Sequence, residues 1–145
     1  GLRAGTLPSE LIGAFAKATE IWNSDDLERL KKLRDSLVSE LKKIRADVRI
    51  NGSLDSRLVT NLNFAFPGLP DKAVLQHLDR AGVRVSAGSA CNSSKKTPSP
   101  VLKAIGQSDE EAYEAIRVSF GKSTTDADVD VLLESLKTLL NSNQS

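Results

Sequence analysis

The segment spanning residues 84–100, RVSAGSACNSSKKTPSP, contains the single cysteine of a chain of 145 residues. Cys91 is surrounded by glycine, alanine and small hydroxyl residues, which offer a thiol very little apolar surface to pack against. A lone cysteine is usually a small buried hydrophobe. Here Gly88 frees the backbone, and a loop of small polar residues leaves a thiol open to water or substrate. The segment therefore favours a nucleophilic or sulfur-carrying cysteine, without identifying its reaction.

Neighbouring residues could tune or assist this thiol. Lys95 and Lys96 follow Cys91 closely, and nearby positive charge favours the thiolate form, although solvation of a loop is the commoner role of such lysines. His77, the single histidine, lies in the helical pattern VLQHLDRAG. A helix-surface position explains it better than a role as base for Cys91. One cysteine and one histidine cannot fill a zinc coordination shell, so no metal site is expected.

Two further positions carry groups suited to anions. Arg117 lies in the alternating run IRVSF, and a guanidinium held on a strand offers a planar fork that matches a carboxylate. A surface arginine at a strand edge is the alternative. Gly5 and Thr6 come just before a helix start at Pro8 and Ser9, where a glycine-containing turn and a hydroxyl suit an anion. A Gly-Thr pair before a helix is too common to define a site by itself.

The spacing of apolar residues predicts the elements that position these groups. Helices are expected at 9–22, 25–46, 71–81, 100–105, 109–113 and 125–140. Strands are expected at 48–50, 58–66, 83–85 and 116–120, with one buried face formed by Leu58, Thr60, Leu62, Phe64 and Phe66. Thr125 and Asp128 resemble a capping box at the start of the last helix. The expected fold is α+β, with helices covering one face of a small, largely antiparallel sheet.

Composition limits the class of protein. With 39% hydrophobic and 27% charged residues, the chain is expected to form one folded domain with a buried core. A net charge of +1 gives no electrostatic case for nucleic acid or a membrane surface as main partner, and no apolar run approaches the roughly 20 residues of a membrane helix. One cysteine cannot form an internal disulfide, which fits a reducing, cytoplasmic setting. The absence of methionine and the abrupt first residues predict a fragment of a longer protein.

Four segments together resemble cysteine desulfurases of the NifS/IscS type. GVRVSAGSACNSSKKTPSPVLKAIG is similar to the family's V-S-S-G-S-A-C loop followed by P-S-x-V-L-x-A-x-G, with Ala87 in place of a serine. AIRVSFGKSTTDADVDVLLESL resembles I-R-x-S-x-G-x-x-T-T-x-x-E-I-D, NLNFAFPG resembles N-x-S-F-P-G, and LRAGT resembles R-S-G-T. The segments keep the family's order over nearly the whole chain, which makes the combined resemblance specific.

The resemblance implies a homodimeric enzyme that uses pyridoxal 5′-phosphate (PLP), takes sulfur from L-cysteine and releases L-alanine. It implies that Cys91 attacks the substrate sulfur and carries it as a persulfide to acceptors such as an iron–sulfur scaffold protein. Arg117 matches the family arginine that binds the substrate carboxylate. Thr6, with Gly5, matches the segment that reaches the cofactor phosphate of the other subunit. The implied fold is that of the C-terminal domain of fold-type I PLP-dependent transferases.

The main departure from the family is that no lysine here resembles the one that forms the Schiff base with PLP. The chain is therefore expected to comprise a connecting segment and helix from the large domain, residues 1–24, and the small domain, residues 25–145, with the cysteine loop at 86–99. Alone, it is expected to be inactive. Two alternatives stay open. A stand-alone persulfide carrier or interaction module would have no use for Arg117 and Gly5-Thr6, and a related PLP lyase or aminotransferase would not need the full cysteine motif.

Overall fold

The computed structural model describes residues 5–21, 25–88 and 97–142. The predictions for three residues of the cysteine segment lie outside these ranges, namely those for Cys91, Lys95 and Lys96. The predicted end of the first helix at Trp22 lies outside them as well. The described helices are α1 Ser9–Glu20, α2 Asp25–Ile44, α3 Asp71–Arg80, α4 Pro100–Ala104, α5 Asp109–Ala112 and α6 Asp126–Ser142. The described strands are β1 Arg49–Ile50, β2 Asn61–Ala65, β3 Ser86–Ala87 and β4 Ala115–Ser119. None of these described helices combines the length and the apolar character needed to span a membrane.

These strands form one antiparallel sheet in the order β1-β2-β4-β3. The central ladder joins β2 to β4 and runs from Asn61 opposite Ser119 to Ala65 opposite Ala115. In its middle, Arg117 lies opposite Asn63 on β2, and on its other side it faces Ser86 of β3. The prediction of an α+β fold with a small antiparallel sheet is confirmed.

The core lies between one face of this sheet and helices α2, α3 and α6. Alternation along the strands points Leu62 and Phe64 of β2, and Ile116 and Val118 of β4, to that face, where all four are buried. The helices pack there through apolar residues three or four positions apart, which are Leu30, Leu33, Leu37 and Leu41 on α2, Val74 and Leu78 on α3, and Val129, Leu132, Leu133, Leu136, Leu139 and Leu140 on α6. This is the helix-covered face that the periodicity predicts.

Helix α6 begins with the reciprocal capping contacts predicted from Thr125 and Asp128. The Asp128 N–H donates to Thr125 Oγ1 at 3.3 Å, and the Thr125 N–H donates to Asp128 Oδ2 at 2.8 Å. Together with a bond from the Thr125 hydroxyl, the backbone bond lowers the pKa of Asp128 below its ordinary value of 3.8, because hydrogen bonds to a carboxylate favour its charged form. The helix start is therefore fixed locally by its own sequence.

Two strand predictions are wrong in their bounds. Residues 83–85 precede β3, which begins at Ser86 because the described pairing with β4 involves Ser86 and Ala87. Leu58, predicted on the buried face, is 76% exposed. The ladder with β4 begins at Asn61, whose N–H faces the Leu58 carbonyl across a turn at 3.4 Å. The apolar alternation thus extends through a turn, and it gives the buried face correctly from Leu62 onward.

Candidate functional site

A cleft of about 370 Å³ opens on the face of β2 and β4 that is opposite the core. Asn63 and Arg117 line it from the two strands, and Asn51 lines it from the turn that follows β1. Gly88 and Ser99 line it as well. These two residues stand on either side of Cys91 within the cysteine segment, so described residues before and after Cys91 both reach this cleft.

Arg117 is held on β4 between its cross-strand neighbours Asn63 and Ser86. Its side chain is half-buried, and within the described residues its guanidinium has no hydrogen bond or ion pair with the protein. The described residues that line the cleft include no aspartate or glutamate. A guanidinium held on a strand without an internal counter-ion is suited to a carboxylate from outside, since its planar fork can bind both oxygens.

A second guanidinium in the cleft, that of Arg57, donates one hydrogen bond from each of its three nitrogens. Its Nε donates to the Asn61 carbonyl at 3.1 Å, its Nη1 to the Asn51 carbonyl at 2.9 Å and its Nη2 to Asn61 Oδ1 at 3.1 Å. Burial lowers the pKa of Arg57 from its usual value, and the charge of Arg34 lowers it further. Arg34 is itself buried and pairs with Asp35 at 2.7 Å. Arg57 therefore holds the turn together and adds positive charge to the cleft.

Asn51 and Asn63 are site residues that the sequence reasoning did not single out. Asn51 is 3% exposed, and its Nδ2 donates to Asn63 Oδ1 at 2.6 Å. The Asn51 Oδ1 is buried and has no hydrogen-bond partner among the described residues. The Asn-Gly pair at 51–52 signals a turn in the sequence, but nothing in the sequence indicates that the asparagine side chain is buried beside Arg117.

Gly5 and Thr6 lie apart from this cleft in the described structure. They precede α1, Gly5 has φ +90, and Thr6 is exposed. The structure therefore brings Arg117 together with Gly88 and Ser99 of the cysteine segment, whereas Gly5 and Thr6 are exposed and do not line this cleft.

His77 also lies apart from the cleft. It is in the last turn of α3, half-buried, and its Nε2 lies 2.9 Å from the Ser135 carbonyl oxygen of α6. The residue does not line the cleft. Its described contact joins two helices of the core.

The lysines of the described residues do not fit the bond that holds PLP. A Schiff-base lysine needs an uncharged amine, which an enclosed or cationic site provides. The side chains of Lys17, Lys43 and Lys122 are 69%, 68% and 76% exposed. Lys137 bonds to Glu134, which raises its pKa above the usual 10.5. None of the described lysines lines the cleft.

Residues 1–132 match the aminotransferase class-V family, and the chain belongs to that family. Class-V aminotransferases, including the cysteine desulfurases, are in general PLP-dependent.

Within this class, the chain is similar to cysteine desulfurases and to NifS-like proteins. Cysteine desulfurase IscS of Vibrio cholerae serotype O1 is 39% identical over 140 residues, which cover 94% of this chain and 34% of that protein. A solved NifS-like protein has a TM-score of 0.81 at 30% identity, covering 98% of this chain and 36% of its own. A structure of SspA in complex with cysteine has a TM-score of 0.55 at 31% identity, covering 86% and 33%. The resemblance to NifS/IscS-type desulfurases is confirmed, and the chain spans about a third of the length of these relatives.

Proposed function

We propose that this chain is the small-domain part of a PLP-dependent cysteine desulfurase that moves sulfur from L-cysteine to Cys91. In the net reaction, L-cysteine and the Cys91 thiol give L-alanine and a Cys91 persulfide, so one sulfur atom is transferred and no outside oxidant is needed. The observation that carries the proposal is the cleft in which Arg117, which has no hydrogen bond or ion pair within the described residues, lies with Gly88 and Ser99, one on each side of Cys91 in the sequence.

Arg117 is the proposed ligand of the substrate α-carboxylate. Its guanidinium has no internal partner in the described structure, and the charge of Arg57 in the same cleft attracts an anion further. The bound ligand of the related SspA structure is cysteine, which has the carboxylate that such an arginine would hold. Small residues on both sides of Cys91 would let its thiol reach a substrate held at this position.

The cofactor is proposed to be held mainly by residues outside the described part of this chain. When bound, PLP supplies the electron sink that such sulfur chemistry requires. Gly5 and Thr6 are proposed to contact the cofactor phosphate of a second subunit in a homodimer. On this proposal, residues 1–24 connect to a large domain and residues 25–145 form the small domain, with the cysteine loop at 86–99.

The persulfide would then pass to an acceptor in the cytoplasm, such as an iron–sulfur scaffold protein. The name IscS belongs to the relatives, and the acceptor of this chain is proposed by that likeness.

One observation favours a second function for the chain taken alone: the described lysines are unsuited to PLP. In that case Cys91 would carry sulfur delivered by another protein.

The test compares the intact protein that contains this chain with the 145-residue chain alone. Both are incubated with L-cysteine and PLP, L-alanine is quantified, and the Cys91 peptide is examined by mass spectrometry for one added sulfur. The intact protein should form L-alanine, and its Cys91→Ser variant should form none. The chain alone should form none, yet should accept one sulfur from a polysulfide. Alanine formation by the Cys91→Ser protein would overturn the role given to Cys91.

A further inference from the structure

Asn51 is held in the cleft by three contacts of its own. Its backbone N–H donates to the Asn63 carbonyl at 2.9 Å, its carbonyl accepts from Arg57 Nη1 at 2.9 Å, and its Nδ2 donates to Asn63 Oδ1 at 2.6 Å. Gly52 follows with φ +81, a backbone conformation that other residues rarely adopt. In the bond to Asn63 the Asn51 amide is the donor and the Asn63 oxygen the acceptor, which leaves Asn51 Oδ1 as the remaining acceptor.

The remaining polar atom of this side chain, Oδ1, is an acceptor without a donor. It is buried, the residue is 3% exposed, and within the described residues no group donates to it. Buried acceptors are nearly always satisfied, and an unsatisfied one is costly. Since Asn51 lines the cleft that also contains Arg117, a bound ligand is the natural source of the missing donor.

The charges around Asn51 specify which donor fits. Arg57 contacts the Asn51 carbonyl directly, Arg117 shares the cleft, and Arg34 on α2 is close enough to lower the pKa of Arg57. Arg34 pairs with Asp35, Asp55 belongs to the same turn as Ser53 but does not line the cleft, and Ser53, Ser56 and Ser99 add no charge. The guanidiniums of Arg57 and Arg117 oppose an ammonium ion in this cleft, whereas an uncharged amine can still donate an N–H.

From this arrangement, and resting on the proposed carboxylate site at Arg117, we propose that Asn51 accepts an N–H from the uncharged α-amine of a bound amino acid. The carboxylate would lie on Arg117, with the Asn63 amide N–H groups as further donors. An amide oxygen is not basic, so it orients the amine and leaves the nitrogen lone pair free. The cleft would therefore select amino acids, in the form that is nucleophilic, over simple carboxylates.

The experiment uses the isotope-labelled 145-residue chain and two probes, L-alanine and propionate, which differ by the amino group. Side-chain amide signals are followed by NMR titration from neutral pH to above the pKa of the free alanine amine. L-alanine should bind more tightly as its amine loses its proton, and the Asn51 amide signal should shift. Propionate should bind with nearly constant affinity and leave that signal in place. Parallel pH profiles for the two probes would overturn the proposal.

Two variants sharpen the assignment. Asn51→Ala should weaken L-alanine binding at high pH by about tenfold, the value of one lost hydrogen bond, with propionate binding unchanged. Asn51→Asp should instead strengthen L-alanine binding at neutral pH and flatten its pH profile, because a carboxylate accepts an ammonium. Equal effects of Asn51→Asp on both probes would contradict the proposal even where Asn51→Ala disturbs folding. If neither probe binds the parent chain, the carboxylate site at Arg117 fails as well. If both probes bind, and Arg117→Ala changes their affinities while the Asn51 variants do not, the role of Asn51 fails and the carboxylate site at Arg117 stands.

Discussion

The two faces of the β2–β4 ladder follow different rules. On the core face, Leu62 and Phe64 are 0% exposed, and burial of apolar surface explains their presence. On the cleft face, Asn63 and Arg117 lie opposite each other, and Arg117 has no protein partner in the described structure. Folding gives no reason for a guanidinium that has no partner among the described residues, or for the buried Asn51 oxygen that none of them satisfies. The difference supports the proposal that one face maintains the fold and the other binds the substrate.

The largest effect should come from emptying the core face. Phe64→Ala removes a fully buried ring that meets Phe66 edge-on at 5.6 Å, and it should lower the free energy of unfolding by about 3–5 kcal/mol. Asn63→Ala, one residue along on the cleft face, is the matched control and should cost about 1–3 kcal/mol, because it leaves the buried Asn51 Nδ2 without its acceptor. Denaturant unfolding of both variants measures the difference. Equal losses would mean that the two faces contribute alike to stability.

The core face is also the part that the sequence predicts well. Helical spacing and alternation identify the buried positions of α2, α6 and β2, because apolar burial leaves a periodic trace. The cleft leaves none. Asn51 is distant in sequence from Arg117, and its burial depends on contacts with Asn63 and Arg57 that no local pattern encodes. Leu58 shows the opposite failure, since apolar alternation alone does not reveal where strand pairing begins.

On the cleft face, loss of Arg117 should affect binding and not stability. Arg117→Met breaks no described hydrogen bond, so the free energy of unfolding should change by less than about 0.5 kcal/mol. Carboxylate affinity should fall by at least tenfold, since hydrogen bonds to charged groups contribute about 1.5–3 kcal/mol. Propionate titration and denaturant unfolding of the same sample measure both quantities.

Arg29→Met is the control for this change. Arg29 donates to the carbonyls of Thr124 and Lys122 at 2.6 and 2.7 Å, and it does not line the cleft. Its loss should lower stability by about 1–3 kcal/mol and leave propionate affinity intact. If Arg117→Met instead destabilises the chain as much as Arg29→Met does, then Arg117 is a structural residue.

Helix α1 contrasts with the polar cleft because its apolar side chains are exposed to solvent in the described structure. Leu11 and Phe15 are 70% and 74% exposed, and exposed apolar patches promote association. The chain alone should therefore self-associate, and Phe15→Glu should weaken the association about tenfold or more, because burial of a phenylalanine contributes about 1.5–3 kcal/mol. Sedimentation over a range of concentrations measures this, with Ala16→Glu on the same helix as control. A parent chain that stays monomeric at high concentration would exclude the idea.

The smallest effect should come from the start of α6, which supports the core face. Thr125→Ala removes the hydroxyl of the capping pair and should lower stability by about 1 kcal/mol.

The pH dependence of stability distinguishes capping at the start of α6 from packing. The pKa of Asp128 is lower in the folded chain than its ordinary value of 3.8 because of hydrogen bonds from Thr125. Its stabilising contribution is therefore complete above that value and disappears as the pH falls through the lower folded pKa. Urea unfolding across this acid range should show a shallower loss of stability in Asp128→Asn than in the parent chain, whereas Asp130→Asn, on the same helix, should leave the slope unchanged. An identical slope in parent and Asp128→Asn chains would show that the capping carboxylate has the same pKa in both folded and unfolded states.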